Sequence, residues 1–540
     1  MMHPKGHVLL VCFLLSGLCA ASDLPAQRIK GPAVRIGSGV VEGANSSDNS
    51  KLVFFRGIPY AAPPIGELRW KPPEPPSPWR AVRKATELSA ACPQGDFLYH
   101  AMQRTVSTVG GDPSLVQPVG VTSEDCLYLN VLTTALHGMR PQPVMLWLHG
   151  GGGVYGRGDD RFATLAAKGV VVVTINYRLG VFGWLSHPAL TAESPHQSSG
   201  NYGLLDQIAA LNWVRRNIAR FGGDPTNITL FGQSSGAEYV GCLMTSPLAR
   251  GLFHRALMQS GSPTNLYPSV HHPGGEVGSA ERSGIDLARK LGVGDGLEAI
   301  KKLRKASTDD VFKAAADAEF DHVIDGWVLP EQPLIVFAHH EQADIPVVIG
   351  SNARELSNLL APKERTSETF RNWVRQNFAP VADQVLALYP IPTTADAKDA
   401  YIRAGTELEL TAPARWTAQA MYGVKNKTYL YEITWAYPSQ GGQEWGAFHG
   451  MELLLILDSP RVPRDPTGDA LAQALHDYWV QFARTGDPNV AGLPAWAPYD
   501  SGTAPYLALG AKIEPITGLH QQAFALIQQL YATRLSSLGP

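Results

Sequence analysis

Nine residues, Ile228-Thr229-Leu230-Phe231-Gly232-Gln233-Ser234-Ser235-Gly236, constrain this chain more than any other stretch. The first four are apolar, β-branched or aromatic and read as a short buried strand. They run directly into Gly-x-Ser-x-Gly, and Ala237-Glu238-Tyr239-Val240 then continues as helix. A strand that turns sharply into a helix forces the middle serine into strained backbone angles. Gly232 and Gly236 have no Cβ, so strand and helix can approach closely. The turn lifts the Ser234 hydroxyl clear of the sheet, at a helix N-terminus whose backbone N–H groups favour incoming negative charge. This pattern is a nucleophile elbow and points to acyl transfer. Gly-x-Ser-x-Gly alone arises often by chance, so its context and its partners must decide.

The 540 residues are 44% hydrophobic and 17% charged, with a formal net charge of −3. That is globular material with no basic face for nucleic acid. Residues 1–22 read as a signal peptide, with Lys5 near the start, an apolar run from Val8 to Leu18, and small residues at Cys19-Ala20-Ala21-Ser22. The run is too short to span a membrane and no later stretch qualifies, so an exported protein without a membrane anchor is expected. Cys12 and Cys19 leave with that segment. In an oxidising compartment a Cys92–Cys126 bridge would close a loop of moderate length, and Cys242 reads as a buried free thiol. Sequons stand at Asn45, Asn227 and Asn426.

Strand-like runs recur at Val34–Ile36, Leu52–Phe55, Leu127–Leu132, Val144–Leu148, Val170–Ile175, Arg255–Ser260, Pro346–Ile349 and Tyr429–Thr434. Between 203 and 220, Leu204, Leu205, Ile208, Leu211, Val214 and Ile218 repeat at helical spacing. Alternation of this kind predicts an α/β fold, a large mostly parallel sheet with helices on both faces. No repeat or linker divides the chain, so residues 23–540 read as one domain with insertions. Helix-rich stretches at about 280–320 and 365–425 could cap the site. A helical pattern near 518–532 packs most simply on the core, with dimerisation the lesser alternative.

A serine hydroxyl needs a base to take its proton and an acid to orient that base. His449 is the best base, in the glycine-flanked loop Trp445-Gly446-Ala447-Phe448-His449-Gly450 after a strand. His254, His271, His272, His322, His339, His340 and His476 lack such a setting and read mostly as surface or packing residues. No familiar ligand spacing accompanies the two histidine pairs, so neither metal nor cofactor is expected. Glu355, in Gly350-Ser351-Asn352-Ala353-Arg354-Glu355 after the strand Pro346–Ile349, is the best orienting acid. Asp344 precedes that strand, at the wrong end of a parallel sheet for catalysis, and Asp325 is a weaker rival. The chain order Ser, acid, His is the one expected of an elbow serine in such a sheet. The glycine run 150–153 follows a strand with unhindered N–H groups, which with the N–H of Ser235 could hold an oxyanion. A phosphate loop is the rival reading, but no Lys-Ser/Thr follows. His149 reads as a brace for this loop.

On these residues the chain resembles the type-B carboxylesterases, the carboxylesterase/cholinesterase family of α/β-hydrolases. Glu124-Asp125-Cys126-Leu127-Tyr128-Leu129-Asn130-Val131 matches one family signature, and Phe221-Gly222-Gly223-Asp224-Pro225 through Gly236 matches the other. Phe55 through Trp79 and the His449 segment are similar as well. The resemblance implies a Ser234/Glu355/His449 triad and an oxyanion hole from Gly151, Gly152 and Ser235. It also implies a Cys92–Cys126 disulfide around a loop lining the gorge, and a serine beneath the triad at Ser260.

Two departures bear on substrate. Residues 92–126 offer only Phe97 and Tyr99 where cholinesterases stack a tryptophan on choline, and neutral Gln233 precedes the nucleophile where the family usually has Glu. Arg157, a few residues past the glycine run, either faces a substrate carboxylate or pairs with Asp159 or Asp160. One charge pair at ~5 Å and an effective dielectric of ~20 is worth on the order of 3 kcal/mol, enough to set a preference. The expected partner is a small-molecule ester, with esters of anionic polycarboxylic acids such as the tricarballylate esters of fumonisin favoured. A lipase for long acyl chains is one rival, and a general short-chain esterase another. A non-catalytic binding protein of the same family is a third, disfavoured because all three triad positions are kept.

Overall fold

Every residue from Val170 to Ile175 is β-branched, a composition that favours extended backbone and suits a strand covered on both faces. In the computed structural model, Val171–Ile175 is a strand buried along its whole length. The structure describes residues 30–47, 49–136, 138–159, 161–270, 279–294, 297–359, 366–393, 396–457 and 462–538. The expected signal peptide, Asp160, and His271 with His272 lie outside the described residues.

In chain order the strands are β1 Ala33–Ile36, β2 Gly39–Glu42, β3 Ala44–Asn45, β4 Val53–Pro59, β5 Arg83–Lys84, β6 Tyr128–Thr133 and β7 Gln142–Leu148. They continue as β8 Val171–Ile175, β9 Gly223–Gln233, β10 Arg255–Gln259, β11 Val347–Asn352, β12 Thr428–Ile433, β13 Pro505–Leu509 and β14 Ile513–Thr517. Among the described residues, eleven strands form one sheet in the order β14-β13-β12-β11-β10-β9-β7-β8-β6-β4-β3. The run from β13 to β8 is parallel, and the pairs at either edge are antiparallel. A small separate sheet joins β1, β2 and β5. The α/β architecture expected from the alternation of elements is the one found.

Side chains alternate across the strands, as the two-residue period requires. Val144, Leu146 and Leu148 of β7 join the core on one face, where Leu204, Leu211 and Val214 of the helix Tyr202–Asn217 pack. Met145 and Trp147 join the core on the other, against Leu475, Trp479 and Phe482 of the helix Pro466–Thr485. A third core holds Phe370, Val374, Val385 and Leu408 of the inserted segments against Phe524, Ile527 and Leu530 of the last helix, Gln521–Leu538. The 518–532 pattern therefore does pack on a core, and it is that of the cap.

Cys92 and Cys126 are joined by a disulfide, and Cys242 is a buried free thiol. The base of the disulfide loop is further pinned by Glu124. Its carboxylate accepts from Arg69 at 2.5 and 2.7 Å and from Thr308 at 2.6 Å. Parallel pairing brings the C-terminal ends of β7, β9, β10 and β11 to one edge, where ligands bind in open α/β sheets.

Candidate active site

Ser234 follows β9 with φ 57° and ψ −132°, outside the regions comfortable for a residue with a side chain. A Cβ on Gly232 would stand 2.4 Å from Gly236 O, and one on Gly236 would stand 2.2 Å from Leu148 O. The two glycines therefore supply the close approach that the elbow needs. Ser234 N donates to Gln259 O at 2.8 Å, which ties the bend to β10. The helix Ser235–Thr245 starts immediately after it.

The glycine run lies beside this bend. A Cβ on Gly150 would meet Gln233 O at 2.6 Å and Ser234 Cβ at 3.0 Å. Gly151, Gly152 and Gly153 have φ of 115°, 62° and 71°, which other residues rarely adopt. Gly153 O accepts from Gly180 N at 2.8 Å and from Trp184 Nε1 at 2.9 Å. His149 braces the loop as expected, with Nδ1 2.9 Å from Gly150 O and its ring stacked on Tyr177 at 4.2 Å. Burial depresses its pKa to about 4, so it is neutral at ordinary pH.

Glu355 and His449 meet. Nδ1 of His449 lies 2.6 Å from Glu355 Oε2, and Glu355 is fully buried. Its other oxygen accepts from Asn352 N at 2.6 Å. The backbone N–H of His449 donates to Glu355 O at 3.1 Å, while Asn358 Nδ2 donates to His449 O at 3.1 Å. Burial disfavours the imidazolium, but the charge and hydrogen bond of Glu355 outweigh it, and the pKa of His449 is raised above 6.5. Nε2 of His449 lies 3.3 Å from the amide nitrogen of Gln233. Ser234 and His449 open into one cavity of about 430 Å³, roofed by Phe378, Leu408, Ile527 and Tyr531 of the cap core.

Other residues singled out in the sequence sit elsewhere. Asp325 is buried and accepts three backbone N–H groups, from Trp327, Val328 and Leu329, in a structural loop. Asp344 binds Asn426 on the far side of the sheet. Arg157 does not line the cavity beside Ser234; its Nη1 donates to Val119 O in the disulfide loop at 2.6 Å. Asp159 instead pairs with Arg161 at 2.7 Å. The Asn45 side chain is exposed, whereas Asn227 and Asn426 are hydrogen-bonded into the fold.

Several residues of this site escaped the sequence reading. Glu452, three positions after His449, is buried beneath it and accepts from Asn352 Nδ2 at 2.6 Å and from Ser260 Oγ at 3.3 Å. Burial and the neighbouring Glu355 push its carboxyl up to about 7. Glu238, Glu409 and Arg534 all line the cavity. For Glu238 a signal existed, since it lies one helical turn beyond Ser234 on the helix read from the sequence.

A strained serine at the edge of a parallel sheet, beside a glycine loop and a His–Glu pair, defines the class as a carboxylic-ester hydrolase. The chain belongs to the Carboxylesterase family, whose model matches residues 30–527. It is 33% identical over 497 residues to Fumonisin B1 esterase of Sphingopyxis macrogoltabida, covering 86% of this chain and 84% of that one. Liver carboxylesterase of Sus scrofa is 29% identical over 582 residues, covering 98% of each chain. Among solved structures, a PNB esterase aligns with a TM-score of 0.78 at 30% identity, over 93% of this chain and 100% of that one.

Proposed function

We propose that the chain hydrolyses carboxylic esters through an acyl-enzyme formed on Ser234. His449 takes the serine proton during attack and returns it to the leaving alcohol, and Glu355 orients and stabilises the imidazolium. The N–H groups of Gly151, Gly152 and Ser235 receive the oxyanion of the tetrahedral intermediate. Water then attacks the acyl-enzyme by the same steps in reverse order. The observation that carries this reading is the 2.6 Å contact between His449 and Glu355, on a histidine that shares its cavity with Ser234. Rapid mixing with a p-nitrophenyl ester should give a burst of one nitrophenolate per chain, followed by slower turnover. A Ser234→Ala variant that still showed a burst would remove the proposal.

For the substrate we propose esters of anionic polycarboxylic acids, such as the tricarballylate esters of fumonisin. Three observations support this: the 33% identity to a relative named for fumonisin B1, the neutral Gln233, and the Arg534 guanidinium in the cavity wall. Arg157 would act from beside the disulfide loop, where it donates to Val119 O. A second reading, a general short-chain carboxylesterase, is favoured by the engagement of Arg157 with Val119 O. Hydrolysis of matched neutral, cationic and polyanionic esters separates the two. Arg157→Ala should selectively damage turnover of the polyanionic member, and equal loss on the neutral member would contradict a substrate role. Export is also proposed: the disulfide suits an oxidising compartment, and no helix among the described residues is long and apolar enough to cross a membrane.

A further inference from the structure

Glu238 stands one helical turn beyond Ser234 and closes the first turn of the helix, its N–H donating to Ser234 O at 3.1 Å. Residues at this spacing share a helix face, about 6 Å apart along the axis. Glu238 lines the same cavity as Ser234 and His449. Its carboxylate is held from one side only: Tyr267 Oη and Asn265 Nδ2 both donate to Oε1, and Oε2 has no hydrogen-bond partner among the described residues. Tyr267 is itself fixed, with its ring centroid 3.8 Å from that of His322 at a tilt of 45°, and His322 pairs with Asp321 at 2.6 Å. Arg534 lines the same cavity and donates to Asn377 O at 3.3 Å, and among the described residues no Lys or Arg is hydrogen-bonded to Glu238 or Glu409. Glu409 lines the same cavity from the π-helical turn Thr406–Thr411, an irregularity often found at functional sites.

A carboxylate that is rigidly presented beside the nucleophile, with one oxygen left without a side-chain or backbone partner among the described residues, selects for positive charge. We propose that Glu238 is a specificity residue that receives an ammonium group of the ester substrate, with Glu409 as the opposite acceptor. This rests on the ester-hydrolase reading and adds to it: the substrate carries a cationic amine near the scissile ester, whatever the charge of its acid portion. The departure of Gln233 from an acid removes one negative charge from the site, and Glu238, one helical turn beyond Ser234, supplies another.

The test uses two matched pairs of esters. On the alcohol side these are dimethylaminopropyl butyrate and its all-carbon isostere; on the acid side, the ethyl ester of dimethylaminopentanoic acid and its all-carbon isostere. In at least one pair the wild-type kcat/KM for the ammonium ester should exceed that of the isostere about ten-fold. Glu238→Gln, checked for folding by its thermal melt, should bring that ratio to within about two-fold of unity. A wild-type ratio near one in both pairs, or a ratio unmoved by Glu238→Gln, overturns the proposal. If the variant does not fold, the wild type decides by inhibition. An alkyltrimethylammonium ion should inhibit hydrolysis of a neutral ester at least ten-fold better than the alcohol of equal chain length, and added salt should weaken that preference. Equal inhibition by the two overturns the proposal. Failure of the ester-hydrolase reading is a separate result, in which none of the four esters is cleaved.

Discussion

The Glu355 carboxylate sets the pH at which His449 can act. A general base works only when neutral, and Glu355 holds the pKa of His449 above 6.5. Activity should therefore fall as pH drops through a value above 6.5. In Glu355→Gln the main supporting charge is gone and burial is opposed only by Glu452, so this acid limb should move to lower pH while kcat falls by ~10²–10⁴-fold. Gln233→Glu should do the opposite, because a carboxylate would replace the amide now 3.3 Å from Nε2. Both shifts are read from kcat/KM against pH; an acid limb that stays in place in both variants contradicts this coupling. His149 gives a stability counterpart. Its folded pKa of about 4 lies below the ordinary 6.5, so its neutral form stabilises the fold above 6.5. That stability is lost as pH falls from 6.5 toward 4, by roughly 3 kcal/mol. Urea midpoints measured across that window should fall less steeply in His149→Gln.

At the scale of elements, the glycine loop stands beside the elbow, and the disulfide loop packs on the segment that follows it, through Gln94 on Gly156 and Phe97 on Tyr155. Gly151 has φ 115°, and a Cβ there would stand 2.3 Å from Tyr155 O. Gly151→Ala must therefore displace the loop, and losing one oxyanion donor costs about 3–4 kcal/mol of transition-state stabilisation. A kcat lower by ~10² or more with near-wild-type KM is expected from steady-state kinetics. Equal losses in binding and turnover would mean a general collapse of the loop. The Cys92–Cys126 bridge spans 34 positions, and Cys92→Ser should lower stability by roughly 2–4 kcal/mol, measured by thermal unfolding under oxidising conditions.

The stretches 144–148 and 170–175 of the central sheet were legible in the sequence because burial on both faces leaves uninterrupted apolar runs, and 127–132 by its alternation. The hairpin β13–β14 was not. It lies at the sheet edge, and Ile513–Thr517 is half-exposed, so neither a continuous run nor clean alternation marks it. Ser234, Glu355 and His449 could be chosen because each follows a strand or a glycine turn. Arg534 could not, since a basic residue near the end of an exposed helix looks solvated until the cap core folds that helix over the site. Arg157 illustrates the converse: its place in the chain suggested the gorge, while its guanidinium reaches back to Val119 O.

Across the whole molecule, three remote segments are brought to one sheet edge by parallel pairing, and a separate cap core closes above them. The cap is held to the sheet partly by the last helix, so removing residues 521–538 should open the cavity and expose Phe524, Ile527 and Leu530. Truncation at residue 520 should abolish soluble activity, seen as aggregation by light scattering; an active monomer would show that the cap stands without it. The central claim, an acyl-enzyme on a serine activated by the His449–Glu355 pair, is most directly measured with a fluorophosphonate inactivator and peptide mass mapping. One adduct on the peptide containing Ser234, formed in step with the loss of esterase activity and absent from Ser234→Ala, is the predicted result. An adduct on another residue, or hydrolysis that persists in Ser234→Ala, would contradict it.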